Sequence, residues 1–252
     1  MTVLAQDLAR ALDPVALAEG IGMRPDPWQA DVLRSNHPRI ILNACRQSGK
    51  STTCAVKATH AAVYEPGALI LLLSPSLRQS QELFKKVLGI YKSLGRPVPS
   101  ESENALSLTL ESGSRVISLP GTEGTIRAYS AVRLLLIDEA SRVPDETIAA
   151  VRPMLAVSGG QLIMLSTPFG RRGVFYEAWE NGGPTWERYR VPATDCPRIS
   201  EAFLDEERAA LGPWFFDSEY MCTFGSPLTS VFDQDQIAAM FNADPEVLPW
   251  DV

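Results

Sequence analysis

The chain has 252 residues, 45% of them hydrophobic, a mean hydropathy near zero and a formal net charge of −7. That suits one large α/β domain, or a core with a small appendage, and argues against a bulk electrostatic nucleic-acid binder while leaving room for a local basic groove. No apolar run reaches the ~18–20 residues of a membrane span, and Asp7 follows the amino terminus too closely, with no basic segment before it, for a signal peptide.

In chain order, Leu4, Leu8, Leu12, Val15, Ala16 and Leu17 give the first 25 residues a helical apolar spacing that ends at Gly20-Ile21-Gly22. Pro25-Asp26-Pro27-Trp28-Gln29 breaks it and opens a second helix through Val32 and Leu33. Arg39-Ile40-Ile41-Leu42 reads as a strand, Asn43-Ala44-Cys45-Arg46-Gln47-Ser48-Gly49-Lys50-Ser51 as a loop, and the next residues to about 64 as a helix. Residues 68–74 form a continuous apolar strand, which means burial on both faces of a parallel sheet. A helix is expected over 77–93. Residues 105–110 and 115–119 alternate around Glu111-Ser112-Gly113-Ser114, predicting a β-hairpin with one wet face. Residues 134–138 and 161–166 are two more buried strands, with a helix near 145–156. After the break at Asn181-Gly182-Gly183-Pro184, residues 186–191 read as a short alternating strand and 200–211 and 213–222 as helices.

Strands alternating with helices predict an α/β fold with a mostly parallel central sheet flanked by helices. The expected division is a P-loop ATPase core over 1–189 and a small C-terminal lid subdomain over 190–252. Four cysteines at 45, 54, 196 and 222 lack C-x-x-C spacing, and His37 and His60 are not at ligand spacing. Small buried thiols are therefore expected rather than a zinc site.

The strand, the Gly49-Lys50-Ser51 loop and the following helix spell a phosphate-binding P-loop, with Ala44 where the first glycine of the usual pattern stands. Loop amides from Cys45, Arg46, Gln47, Ser48 and Gly49 through Thr52 would face the phosphates of ATP. Lys50 would reach the β and γ oxygens, and Ser51 would offer its hydroxyl to Mg²⁺. Leu134-Leu135-Leu136-Ile137-Asp138-Glu139 supplies the second half. A buried strand ending in two carboxylates sets both at the carboxyl edge of the sheet, Asp138 for Mg²⁺ and Glu139 to polarise an attacking water. Two solvated acids at a strand end are the bland alternative, and the P-loop upstream argues against it. Ser166 and Thr167 close the next strand as candidates for sensing the γ-phosphate, against a plain polar strand end before Pro168. Gln29, ahead of the P-loop strand, could pair with adenine or could be a surface residue; Trp28 reads as a packing residue. Arg46 and Arg127 are candidates for stabilising transition-state charge, although an arginine such as Arg127 could simply pair with a nearby carboxylate.

Taken together, Arg46-Gln47-Ser48-Gly49-Lys50-Ser51, the strand ending in Asp138-Glu139-Ala140, Ser166-Thr167-Pro168 and Thr125-Ile126-Arg127-Ala128-Tyr129-Ser130 resemble the large terminase subunit of tailed bacteriophages. So do Val191-Pro192-Ala193, Cys196-Pro197-Arg198-Ile199-Ser200 and Ser218-Glu219-Tyr220-Met221-Cys222-Thr223-Phe224, with Ser218 where glutamine is usual. The resemblance covers residues 25–235. It implies a RecA-like P-loop motor that hydrolyses ATP to drive double-stranded DNA into a procapsid through the portal protein, in the host cytoplasm. Its partners would be a small terminase subunit and further copies of itself, a homo-oligomeric ring on the portal and a monomer in isolation. It also implies that Arg46 belongs to a deviant Walker A loop, which makes Ala44 an ordinary departure, and that Arg127 reaches a neighbour's nucleotide. A nuclease domain follows in full-length members; no acidic set for one is legible here, so nuclease activity is not expected. Candidate DNA contacts are Arg78, Lys85, Lys86, Arg171 and Arg172, residues that equally suit a solvated face. The alternatives are the first motor domain of a superfamily 2-like helicase, for which too little chain follows the core, and a nucleotide-binding regulatory module, against which Glu139 speaks.

Overall fold

Leu134, Leu136, Ile163 and Leu165 pack on one side of the sheet, and their sequence neighbours Leu135, Ile137, Leu162 and Met164 on the other. This is what unbroken apolar strands require, because alternate side chains leave opposite faces and both must be covered. Each such fully buried aliphatic side chain contributes roughly 1.5–3 kcal/mol. The computed structural model describes residues 2–121 and 129–225.

Eight strands form one sheet: β1 (Arg39–Ala44), β2 (Leu69–Ser74), β3 (Ser100–Glu103), β4 (Ser107–Leu110), β5 (Arg115–Pro120), β6 (Leu134–Asp138), β7 (Gln161–Ser166) and β8 (Glu187–Val191). The spatial order is β3-β4-β5-β2-β6-β7-β1-β8. β5, β2, β6, β7, β1 and β8 run parallel, and β3 and β4 add antiparallel strands at one edge. The mostly parallel α/β sheet is as the sequence predicts.

One face carries α2 (Pro14–Gly20), α3 (Pro27–Arg34), α4 (Lys50–Tyr64) and α5 (Leu77–Ser93); the other carries α6 (Asp145–Val151) and α7 (Gly173–Glu180). A third apolar cluster lies at the carboxyl end of β1. There Ala44 and Cys45 meet Val191, Ala193 and Cys196, together with Leu204 of α8 (Glu201–Leu211), Phe216 of α9 (Pro213–Glu219), Tyr220 and Cys222. All four cysteines are buried free thiols.

The structure departs from expectation in several elements. The amino-terminal apolar spacing yields two helices, because Asp13 caps α2 and Pro14 opens it. On α1 (Val3–Leu12), Leu4, Leu8 and Leu12 face outward and are 78%, 57% and 78% exposed. The helix expected near 145–156 stops as an α-helix at Val151 and continues as a 3₁₀ turn, since Pro153 has no N–H to extend the ladder. The helix expected to run to 222 ends at Glu219. Strand β3 and helix α7 were not legible in the sequence. Strand β8 pairs with β1 as far as Val191, and residues 226–252 lie outside the described residues.

Candidate nucleotide site

β1 delivers its carboxyl end between β7 and β8, and the P-loop turns there into α4. Two residues of the turn are left-handed, Gln47 at φ 60° and Gly49 at φ 92°. Gly49 is needed for a second reason: a Cβ there would sit 2.8 Å from Gln29 Nε2. Ser48 Oγ donates to Cys45 O at 2.8 Å, and Lys50 Nζ to the same carbonyl at 3.4 Å. The loop is thus closed on itself, with the first-turn amides of α4 left for an anion.

Opposite stands the end of β6. Ser51 Oγ donates to Asp138 Oδ2 at 3.0 Å, and the Glu139 N–H to Asp138 Oδ1 at 3.0 Å. Glu139 has a left-handed backbone, φ 51° and ψ 42°, which no glycine relieves. That turn takes Glu139 out of the sheet and into a cleft of about 350 Å³. Arg46, Gln47, Gly49, Lys50, Ser51 and Thr52 line the same cleft, as does Lys86 of α5. Burial raises the carboxyls of Asp138 and Glu139 above the usual carboxylate range; Lys50 opposes this in both, and Asp138 adds to it for Glu139.

The structure redraws several expected roles. Gln29 is buried, and its carboxamide is already committed: Oε1 accepts from the Asp26 N–H at 2.9 Å and Nε2 donates to Ser48 O at 3.3 Å. It braces the P-loop through the Ser48 carbonyl. Cys45 turns its thiol into the apolar cluster, 3.7 Å from that of Cys196. Ser166 and Thr167 reach the turn after Glu139 through Ser141, which donates to Thr167 O at 2.9 Å and meets Ser166 Oγ at 2.7 Å.

The candidate DNA contacts do not share one environment. Lys86 belongs to the cleft, since α5 follows β2 and brings it beside the P-loop. Lys85 pairs with Glu82, Arg78 is exposed, Arg171 donates to Phe224 O at 3.1 Å, and Arg172 lies over the Phe169 ring. Arg127 lies outside the described residues.

The structure also supplies residues that the sequence did not single out as part of the site. Arg198 donates to both oxygens of Asp26 and to Ser48 O at 3.0 Å, so the segment after β8 holds the P-loop. Asn43 Nδ2 donates to Cys222 O at 2.9 Å, tying β1 to the same region. Glu219 takes Arg46 on one oxygen and Arg142 on the other.

The family model for the N-terminal part of the terminase large subunit, T4likevirus-type, matches residues 41–239. The chain belongs to the terminase large-subunit family. Among curated relatives, the large terminase subunit of Thermus virus P23-45 is 26% identical, over 85% of this chain and 51% of the relative. This chain therefore spans about half the length of the curated relatives it matches. Among solved structures, the large terminase ATPase domain of Thermus phage P74-26 aligns with a TM-score of 0.73 at 21% identity, covering 82% of this chain and 96% of that one. A large terminase from a thermophilic bacteriophage, solved with ATP-γ-S, aligns at 0.61 and 13% identity, covering 82% of this chain and 52% of that one. The fold is that of terminase ATPase domains. Among the described residues, no helix of this terminase chain is long and apolar enough to cross a membrane.

Proposed function

We propose that this chain is the ATP-hydrolysing motor portion of a viral terminase, which moves double-stranded DNA into a procapsid. The observation that carries the reading is the joining of the two nucleotide half-sites: Ser51 Oγ lies 3.0 Å from Asp138 Oδ2, in a cleft shared with Lys50 and Glu139. A hydroxyl and a carboxylate at that spacing are hard oxygen donors that suit a Mg²⁺ ion, directly or through its waters. When bound, that ion supplies charge neutralisation at the phosphates. The residues of the chain do the rest. Loop amides and the start of α4 bind the phosphates, Lys50 bridges them, and Glu139 orients and polarises the attacking water. Arg46 faces the charge that develops on the transferred phosphoryl group. Ser166 and Thr167 would pass the state of the Glu139 turn to β7 through Ser141.

The family supports the wider setting: a homo-oligomeric ring on the portal protein in the host cytoplasm, with a small terminase subunit, the chain being monomeric in isolation. The core over 1–189 would carry the nucleotide and the lid over 190–252 would cover it. Arg78, Lys85, Arg171 and Arg172 remain candidates for phosphate contacts with DNA.

Arg127 lies 12 residues before Glu139 and would act on a neighbour's nucleotide. The test mixes two inactive variants in the assembled motor. If Arg127 works in trans, Arg127→Ala and Glu139→Ala subunits together regain ATPase activity at interfaces that pair an intact donor with an intact site. Mixtures that stay inactive at every ratio, beside active wild type, would remove the trans assignment. Absence of Mg²⁺-dependent ATP hydrolysis by assembled wild type would overturn the motor reading itself.

A further inference from the structure

Three cations line the nucleotide cleft, and two of them are already engaged. Lys50 Nζ donates to Cys45 O at 3.4 Å, and Arg46 pairs with Glu219 at 2.8 Å. The third, Lys86 of α5, makes no hydrogen bond or ion pair among the described residues. Glu82 stands within one helical turn of both Lys85 and Lys86, and Lys85 takes it at 2.8 Å. The ammonium of Lys86 is thus left for something outside the chain.

The seating of α5 decides where that charge lies. Leu83, Val87 and Ile90 pack the helix into the core, and Lys86 stands at the edge of their face, three residues after Leu83 and four before Ile90. From there it acts on both sides of the nucleotide site. Burial raises the Asp138 carboxyl at the end of β6 and the Cys54 thiol in α4, and the charge of Lys86 opposes it in both. An ammonium is a compact point charge on a flexible stem, suited to a phosphate oxygen. Left unpaired beside a P-loop, it favours the entry of an anion.

We propose that Lys86 is a phosphate-binding residue of the nucleotide cleft: from α5 it reaches the outermost phosphate of the bound nucleotide, not a phosphate of DNA. The proposal rests on the nucleotide reading above. The P-loop amides and Lys50 belong to one continuous segment, so they close on the inner phosphates whichever nucleotide is bound. Lys86 comes from a different part of the chain, the helix that follows β2, and shares the cleft with Glu139, the residue assigned to the attacking water. An anion held by both lysines ties α5 to the start of α4, and loss of the outermost phosphate unties them.

The test measures affinities of the purified chain for ADP and for ATP-γ-S with magnesium, by competition against a fluorescent nucleotide, and for duplex DNA across a salt series. Lys86→Met, which keeps the stem and drops the charge, should weaken ATP-γ-S about tenfold, the worth of one charge-assisted hydrogen bond, and ADP much less. Lys86→Arg should keep most of the affinity. Lys85→Met should bind both nucleotides as wild type does, because that charge is committed to Glu82. Equal weakening of both nucleotides by Lys86→Met, or wild-type affinity for both, would overturn the assignment. So would the same loss from Lys85→Met, which would show only the field of a basic helix. Unchanged nucleotide affinity with a shallower salt slope for DNA would return Lys86 to a DNA contact. Lys86 is exposed, so its variants should melt with wild type, which separates a binding defect from a folding one. Wild type that binds neither nucleotide would instead overturn the nucleotide reading, and that result is seen before any variant is made.

Discussion

Lys50→Ala should lose ATP binding, whereas Glu139→Gln should bind ATP as wild type does and turn over about 10²- to 10⁴-fold more slowly. Lys50 is 7% exposed at the floor of the cleft, and its amine rests on Cys45 O at 3.4 Å, a carbonyl that also has Ser48 as donor. Moving the amine to a phosphate therefore leaves that carbonyl satisfied, and the lysine contributes to ground-state binding. On the proposed assignment Glu139 acts on the attacking water, which is a transition-state role. Its carboxyl is held above the usual range by burial, so as pH falls the base is protonated at a higher pH than an exposed glutamate would be. The acid limb of the rate should lie correspondingly high, and stability should respond in the opposite sense. The folded state binds this proton more tightly than the unfolded chain, so stability from this group grows as pH falls through its folded value. Equilibrium binding and single-turnover hydrolysis across pH separate these effects. Equal loss of binding in both variants would sink the division of roles.

Lys57→Met should destabilise the fold by about 3 kcal/mol, from carbonyl groups left buried without donors. That corresponds to a fall of roughly 6–12 °C in Tm. Lys57 sits in the buried face of α4, 8% exposed, and donates to Val32 O and Leu33 O at 3.0 Å and Ser35 O at 2.6 Å. These are carbonyls at the carboxyl end of α3, where an α-helix has no partners of its own and a positive end group is favoured. Burial brings the Lys57 amine down to about 8 from its ordinary 10.5. Between those values the unfolded chain binds the proton more tightly, so this group's contribution to stability rises with pH across that window. The gap in Tm between wild type and Lys57→Met should therefore widen from pH 8 towards pH 10. A variant that melts with wild type at every pH would show the amine to be dispensable. Because α3 also carries Gln29, which braces Ser48, the variant should weaken nucleotide binding as well.

On the sequence, Lys57 is one more lysine in a helix, and nothing marks it as a cap for residues more than 20 positions earlier. The same limit separates what was legible in the site from what was not. Lys50, Ser51, Asp138 and Glu139 are legible because their chemistry is local: a strand ends and the functional residue is the next one. Glu219 and Arg46 are 173 positions apart, and Arg142 and Glu219 are 77 apart, so Glu219 and Arg142 read as ordinary surface charges, and nothing joins them to Arg46 until α9 is seen against the P-loop. On the sequence Lys86 is one of five candidate DNA contacts; the placement of β2 beside β6 brings α5, and with it Lys86, to the cleft. The buried strands were visible through continuous apolar residues. Strand β3, Ser-Glu-Ser-Glu in sequence, has no apolar signal and exists because β4 offers it an edge. The Leu4, Leu8 and Leu12 spacing specified a helix correctly but not its burial, since periodicity reports a stripe and not what covers it.

The thiols behind the P-loop make this terminase chain its own gauge of how firmly the segment after β8 is seated on β1. Cys45, Cys196 and Cys222 are sealed between the end of β1 and the segment running from β8 through α9, whereas Cys54 is sealed inside α4 against the sheet. An alkylating reagent should reach the first three when that segment opens locally, and Cys54 only when the sheet itself comes apart. The ratio of their labelling rates therefore clocks one hinge against global unfolding without any dye or added cysteine. A nucleotide that tightens this packing would slow the first group and leave the internal reference untouched.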